Sequence, residues 1–316
     1  MNSSPRPIVL DVDTGIDDAW AIAYALRSSH LDVLGITTGF GNADVHTTTQ
    51  NTLLMVQLLG KDTPVYAGAD RPLVRGWEGP VPEYHGHNGL GDVDLPAVVR
   101  RPEPADAASF LRDVVRAHPH QITLVTVARL TNVARALLFD PELSHLIPRI
   151  VMMGGAAFVP GNITAVAEAN IWGDPEAADL VFRSGIPITM VGLDVTMRAR
   201  LTRADLARMN PSAIPYATLL KQATEFYIRA YESDDPSIDG WCPLHDPLAV
   251  AVAEDPSLVS TRPYPVRVET RGALTDGMTV VDARSSNPQG NTDLALTLDV
   301  ERFLGTFRER VGIAQK

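Results

Sequence analysis

Four carboxylates fall within eight residues in Asp11-Val12-Asp13-Thr14-Gly15-Ile16-Asp17-Asp18, where an apolar run stops and a helical pattern starts. In an extended strand Asp11 and Asp13 point to the same side, and Gly15 permits a tight turn. Asp17 and Asp18 then fall in the first helical turn about 100° apart, so each is expected to face a different partner. Helix capping and the favourable charge at a helix N-terminus explain one or two such aspartates. Four that converge repel one another unless a cation neutralises them. Oxygen ligands alone favour Ca²⁺ or Mg²⁺ over zinc. The segment is therefore a candidate metal site.

The surrounding elements decide where that site lies. Residues 7–13 read as a buried strand and 17–28 as a helix with one apolar face. Residues 31–38 are strand-like again, and 44–59 are helical. Further strands are expected at 121–127, 149–153 and 186–191, and further helices at 105–117, 175–182 and 213–230. This alternation predicts an α/β fold, a mainly parallel open sheet flanked by helices on both faces. Such sheets bind ligands beyond the C-terminal ends of their strands, where the aspartates stand. From Tyr264 the pattern shortens to strands near 266–270, 278–282 and 293–298 and a last helix at 300–311. No linker-like segment precedes it, so it reads as an antiparallel C-terminal extension of one domain spanning 1–316. The longest irregular stretch, 68–104, is rich in Gly and Pro and carries His85 and His87. Loops of that length are often functional.

Composition narrows the partners. Hydrophobic residues make up 45% of the chain and charged residues 21%, enough for a core without crosslinks. Cys242 is the single cysteine, so no internal disulfide forms. With no signal-peptide pattern at the N-terminus either, the expected compartment is the cytoplasm. No apolar run approaches the roughly 20 residues that span a bilayer, so no membrane partner is expected. The net charge is −11, and the only lysines are Lys61, Lys221 and Lys316. No basic stripe is left for a phosphate backbone, which argues against nucleic acid and for a cation.

Two families share the acidic opening. DxDxT at the end of a first strand resembles the haloacid-dehalogenase-like phosphatases, in which the residue matching Asp11 is the nucleophile. Those enzymes also need a downstream Lys and a later acidic pair. This chain offers Lys61, Lys221 and the loose imitation Gly91-Asp92-Val93-Asp94. DxDxGxDDAxA resembles the opening motif of the inosine–uridine-preferring nucleoside hydrolase family, with Thr14 where Pro is usual. That family's later motifs follow in order across nearly the whole chain. They are Gly41-Asn42, His85-Gly86-His87-Asn88-Gly89-Leu90, Leu130-Thr131-Asn132, Met153-Gly154-Gly155 and Gly161-Asn162-Ile163-Thr164. Glu168-Ala169-Asn170, Asp174-Pro175-Glu176 and His245-Asp246-Pro247-Leu248-Ala249 complete the set.

The blocks also read physically. A ribose pocket needs paired donors and acceptors, which Asn162, Glu168 and Asn170 supply; the same groups equally serve to satisfy loop backbone. Gly154-Gly155 ends an apolar strand, as close approach of a ligand requires, or simply makes a turn. Asp246 reads as a helix N-cap as well as a ligand. His245 beside an acidic site is the best available proton donor, because its unperturbed pKa lies near neutrality.

The resemblance implies hydrolysis of the N-glycosidic bond of a ribonucleoside, through an oxocarbenium-like transition state, to free ribose and base. It implies Ca²⁺ held by the side chains of Asp13, Asp18 and Asp246 and the main-chain carbonyl of Val127. Asp13 would be the general base for the attacking water, and His245 the acid for the departing base. Asp17, Asn162, Glu168 and Asn170 would grip the ribose, with Asn42 supporting the metal side and Met153 packing on the sugar. His85 would cover the base and Tyr231 reach it, with the long loop and residues 227–241 as lids. Family members are commonly dimers or tetramers, so a homodimer or homotetramer is expected. Two departures stand out: Ala128-Arg129 replaces a common Gly-Pro before LTN, and Ala169 replaces an aromatic. A catalytically silent nucleoside- or sugar-binding protein on the same scaffold is the remaining reading. Retention of Asp13 and His245 argues against it, since a binder needs neither base nor acid.

Overall fold

Ile8, Leu10 and Val12 alternate with Val9 along the first strand, and the two sets enter different cores. The structure, a computed structural model, describes residues 4–284 and 290–314. That first strand, β1 (Arg6–Val12), lies inside an eight-stranded sheet. On one side of it are β2 (Leu31–Thr38) and β3 (Val65–Ala67). On the other are β4 (Thr123–Thr126), β5 (Arg149–Met153) and β6 (Ile188–Val191), and all these neighbours pair in parallel. The short β7 (Arg200–Thr202) and β8 (Trp241–Pro243) form a separate antiparallel pair. After them come β9 (Val259–Tyr264), β10 (Val266–Val268), β11 (Thr279–Val281) and β12 (Thr292–Leu298).

The sheet order is β3-β2-β1-β4-β5-β6-β12-β9. Strand order reverses between β1 and β4, which opens a crevice at their C-terminal ends. The antiparallel extension is present, with one difference from expectation. β12 joins β6 in parallel and only its other edge pairs antiparallel with β9, while β10 and β11 stand apart as their own pair. β9 itself escaped the sequence reading because its burial runs BeeeeB, without period-two alternation, and it contains Pro263. Proline is tolerated in such an edge strand.

Helices Ile16–Arg27, Val45–Leu58, Ala217–Asp234, His245–Glu254 and Val300–Val311 bury residues in the core on one face. Helices Ala107–Ala117, Thr131–Phe139 and Pro175–Phe182 cover the other. His245–Glu254 is buried continuously from His245 to Ala253, which its small alanines permit. The helix expected at 213–230 starts only at Ala217 and runs on to Asp234. Pro211 and Pro215 delay its start, since proline lacks the N–H a helix interior needs. Tyr227–Asp234, the first part of the expected lid segment 227–241, is therefore the C-terminal end of this helix. Within 68–104 the one helical turn is Pro82–His85, which carries His85.

Candidate active site

The chain leaves β1 at Val12 and turns into the helix Ile16–Arg27, so the aspartates lie at the mouth of the crevice. Asp18 caps that helix: its Oδ2 accepts from Gly15 N at 2.9 Å, and its Oδ1 from Asp13 N at 3.1 Å. Asn42 Nδ2 donates to the same Oδ2 at 3.0 Å. Capping does not exhaust its role. Asp17, Asp18 and Asp246 each present an oxygen within 4.8 Å of the others, and all three are buried. Asp18 takes its hydrogen bonds from Gly15, Asp13 and Asn42 while Asp17 lines the cavity beside Asp246, so the two do face different partners and still meet in one cluster. The N-terminus of His245–Glu254 meets that of Ile16–Arg27, and Asp246 closes the angle between them.

The electrostatics of the cluster are severe. Burial pushes Asp17 up to about 7 and Asp18 and Asp246 well above the usual carboxylate range; neighbouring negative charge, Asp13 included, adds to each. Asp17 and Asp246 lie close enough that each shifts the other's proton affinity. Burial also raises Asp13, against the pull of the Arg129 guanidinium. Asp13 Oδ2 accepts from Asn42 N at 2.8 Å and from Arg129 Nη1. Buried, mutually repelling oxygen donors fit a hard cation. The Val127 carbonyl borders the same space and accepts from Asn170 Nδ2 at 2.9 Å.

Asp11 is set apart. Its Oδ1 accepts from Thr37 Oγ1 at 2.6 Å and Asn132 Nδ2 at 2.8 Å, and it does not line the cavity. A nucleophile needs access to its substrate, so the phosphatase reading loses its central residue.

The cavity measures about 740 Å³, ample for a nucleoside, and every predicted site residue except Asp18 lines it. On one wall Glu168 caps the short helix Ala169–Gly173, accepting from Asn170 N at 2.9 Å and from Gly155 N at 2.8 Å. Asn162 Oδ1 accepts from Ala169 N at 3.0 Å, so the loop-backbone role is real for both side chains. Asn170 Nδ2 also reaches the Met153 carbonyl at 3.3 Å, which fixes Met153 at the cavity floor. On the opposite wall Tyr231 OH lies 3.0 Å from His245 Nε2, and Thr196 Oγ1 lies 2.8 Å from His245 Nδ1. Burial pushes His245 down to about 3. His85 Nδ1 accepts from Ile16 N at 3.1 Å, and its ring packs 5.2 Å from Tyr227.

Comparison with known proteins agrees with this geometry. The family model described as inosine-uridine preferring nucleoside hydrolase matches residues 8–305. The chain belongs to that family. It is 39% identical over 303 residues to the inosine-uridine preferring nucleoside hydrolase of Leishmania major, covering 95% of each chain. It is 39% identical over 307 residues to a pyrimidine-specific ribonucleoside hydrolase of Klebsiella pneumoniae, covering 96% of this chain and 98% of the other. The purine-preferring ribonucleoside hydrolase from Gardnerella vaginalis superposes with a TM-score of 0.92 at 40% identity, covering 97% of this chain and 98% of that one. The reaction class of this nucleoside hydrolase is cleavage of a ribonucleoside N-glycosidic bond.

Two of its departures from the family pattern, Thr14 and Arg129, have local explanations. Thr14 is buried and pairs with Thr52 Oγ1 at 2.6 Å, so the hydroxyl is satisfied. Arg129 is buried against Asp13, and Gly173 makes room for it: a Cβ there would lie 2.7 Å from Arg129 Nε. Three site groups went unassigned at the sequence level: the Arg129 guanidinium, the Thr196 hydroxyl and Tyr227. Tyr227 was within reach, since it sits four residues before Tyr231 on one helical face. No motif marks Thr196.

Proposed function

We propose that this nucleoside hydrolase cleaves ribonucleosides to free ribose and base using a bound Ca²⁺. The observation that carries the reading is the buried Asp17, Asp18 and Asp246 cluster, of which Asp17 and Asp246 line one cavity together with Asp13 and His245. Asp13, Asp18, Asp246 and the Val127 carbonyl would hold the ion. Bound there, Ca²⁺ would orient the ribose hydroxyls and acidify the attacking water.

The remaining work falls to side chains. Asp13 takes the proton of the water. Asp17, Asn162, Glu168 and Asn170 grip the sugar, Asn42 braces the acidic cluster, and Met153 supports the ring from below. Asn162 and Glu168 already spend acceptors on backbone N–H groups, so they enter the site with their rotamers fixed. Tyr231 and His245 deliver a proton to the departing base, and His85 borders it. We place the protein in the cytoplasm as a homodimer or homotetramer, with 1–316 as one catalytic domain. Among the described residues no helix is long and apolar enough to cross a membrane.

The test is a panel of purine and pyrimidine ribonucleosides in phosphate-free buffer, with free ribose measured with and without a chelator. Ribose release that stops on chelation and returns with calcium is expected. Turnover only on addition of phosphate would overturn the hydrolase assignment.

A further inference from the structure

Among the described residues Arg129 is the one cationic side chain that pairs with the acidic cluster, and its surroundings leave room for it there. It is 7% exposed, and its Nη1 pairs with Asp13 Oδ2. Two glycines frame it. A Cβ at Gly41 would collide with both partners of the ion pair, and one at Gly173 would lie 2.7 Å from Arg129 Nε and 2.8 Å from its Cγ. The fit is nevertheless incomplete, because the buried Nε has no hydrogen-bond partner among the described residues. A buried donor left unpaired is costly, so this placement has an electrostatic cause rather than a packing one.

That cause is Asp13. Its carboxylate lies among three others, and the Arg129 guanidinium brings to it the kind of positive charge that a divalent ion would also bring. A cation and a guanidinium cannot both sit against the same carboxylate oxygen without repelling each other across a few ångströms. Glu168, also buried, feels the same guanidinium charge, so more than one carboxylate of the site lies within its field.

We propose that Arg129 is a built-in competitor for the metal: it holds Asp13 in the metal-free state and must yield it when a divalent cation binds. The proposal rests on the metal site argued above and adds its regulation: this chain holds its ion less tightly than the four carboxylates alone would. An opposite charge beside a carboxylate changes its proton affinity by roughly 10–1,000-fold, and competition for a cation is governed by the same attraction.

The experiment is calcium titration of the chelator-stripped full-length protein by calorimetry, with thermal shift as a second readout. R129M keeps side-chain volume and removes the charge, and R129Q serves if R129M fails to fold. Either variant should bind calcium at least about tenfold more tightly than the unaltered protein, and gain more in melting temperature when calcium is added. R129K keeps the charge and should stay within about threefold of the original affinity. D13N removes the contested carboxylate, so adding R129M to D13N should change calcium affinity by less than about threefold. Equal or weaker calcium binding in R129M and R129Q would overturn the competition while leaving the metal site intact. Calcium binding in none of the proteins would overturn the metal site itself and the proposal with it. Loss of binding in D246A confirms that the titrated site is this one; unchanged binding there would overturn both.

Discussion

The pairing of Tyr231 with His245 can be tested by removing each group alone and both together. Burial pushes His245 down to about 3, so at pH 7 about one imidazole in 10⁴ is protonated. An imidazolium acting alone would forfeit the whole of the roughly 10²–10⁴-fold that general acid catalysis supplies. The geometry offers an alternative. If Thr196 donates to Nδ1, His245 carries its proton on Nε2 and donates to the Tyr231 oxygen 3.0 Å away. The Tyr231 hydroxyl proton is then free for the leaving base, and the Nε2–H stabilises the negative charge developing on the phenol oxygen. Burial holds Tyr231 protonated across the working range, with its pKa well above 10. Y231F and H245A should each lose roughly 10²–10⁴ in kcat on ordinary nucleosides, and the double variant should lose about the same, because the two act as a unit. A nitrophenyl riboside needs little protonation and should be far less affected. The assay is ribose release from both substrates, with kcat of the unaltered enzyme followed from pH 5.5 to 8. Losses that multiply in the double variant would refute the relay. So would a kcat that falls tenfold per unit above pH 7, since that is the signature of a free imidazolium.

Asp246→Asn removes one carboxylate of the acidic cluster and the partner of Asp17. Calcium retention should fall by at least about 100-fold, the upper end of the cost of losing an outer-shell partner, and turnover of nucleoside and nitrophenyl riboside should fall together; selective loss on nucleosides alone would count against it. Asp17 is raised to about 7, so between the unfolded value of 3.8 and 7 the metal-free fold holds a proton that the unfolded chain has lost. That contribution to stability is present below 3.8 and lost as pH rises through 7, so the rise in melting temperature on adding calcium should grow from pH 5 to 8; a pH-independent rise would refute the linkage. Phe307 lies edge-on to Trp20 at 5.7 Å and stacks on Tyr24 at 6.4 Å. Phe307→Ala should cost about 3–5 kcal/mol of stability with kcat per folded molecule unchanged, as denaturant unfolding and active-site titration would show.

The parts of the site that sequence exposes are those where one local rule suffices. A hydrophobic strand ending in aspartates, followed by a helix start, locates the crevice, because the C-terminal edge of a parallel sheet is where polar groups emerge from the core. Asp13 and Asp17 could be read this way, Glu168 and Asn170 by their irregular segment, and Asp246 as a helix N-cap whose metal role came only with the family motif. What local rules misjudge is convergence. The 100° between Asp17 and Asp18 on an ideal helix gives two directions, and the two do take different partners, yet a second helix N-terminus from 228 residues away in sequence brings Asp246 against both. β9 escaped for a related reason: an exposed edge strand has no buried face to impose alternation. Arg129 is the hardest case. Its neighbours Val127 and Asn132 sit within legible motifs, so its own replacement of a Gly-Pro looked like a change in backbone geometry. The structure makes it a change in charge, and the accommodating residues, Gly41 and Gly173, lie 88 and 44 positions away. Space for a buried guanidinium is a property of the folded cavity, so a sequence shows it only after the fold has named the neighbours.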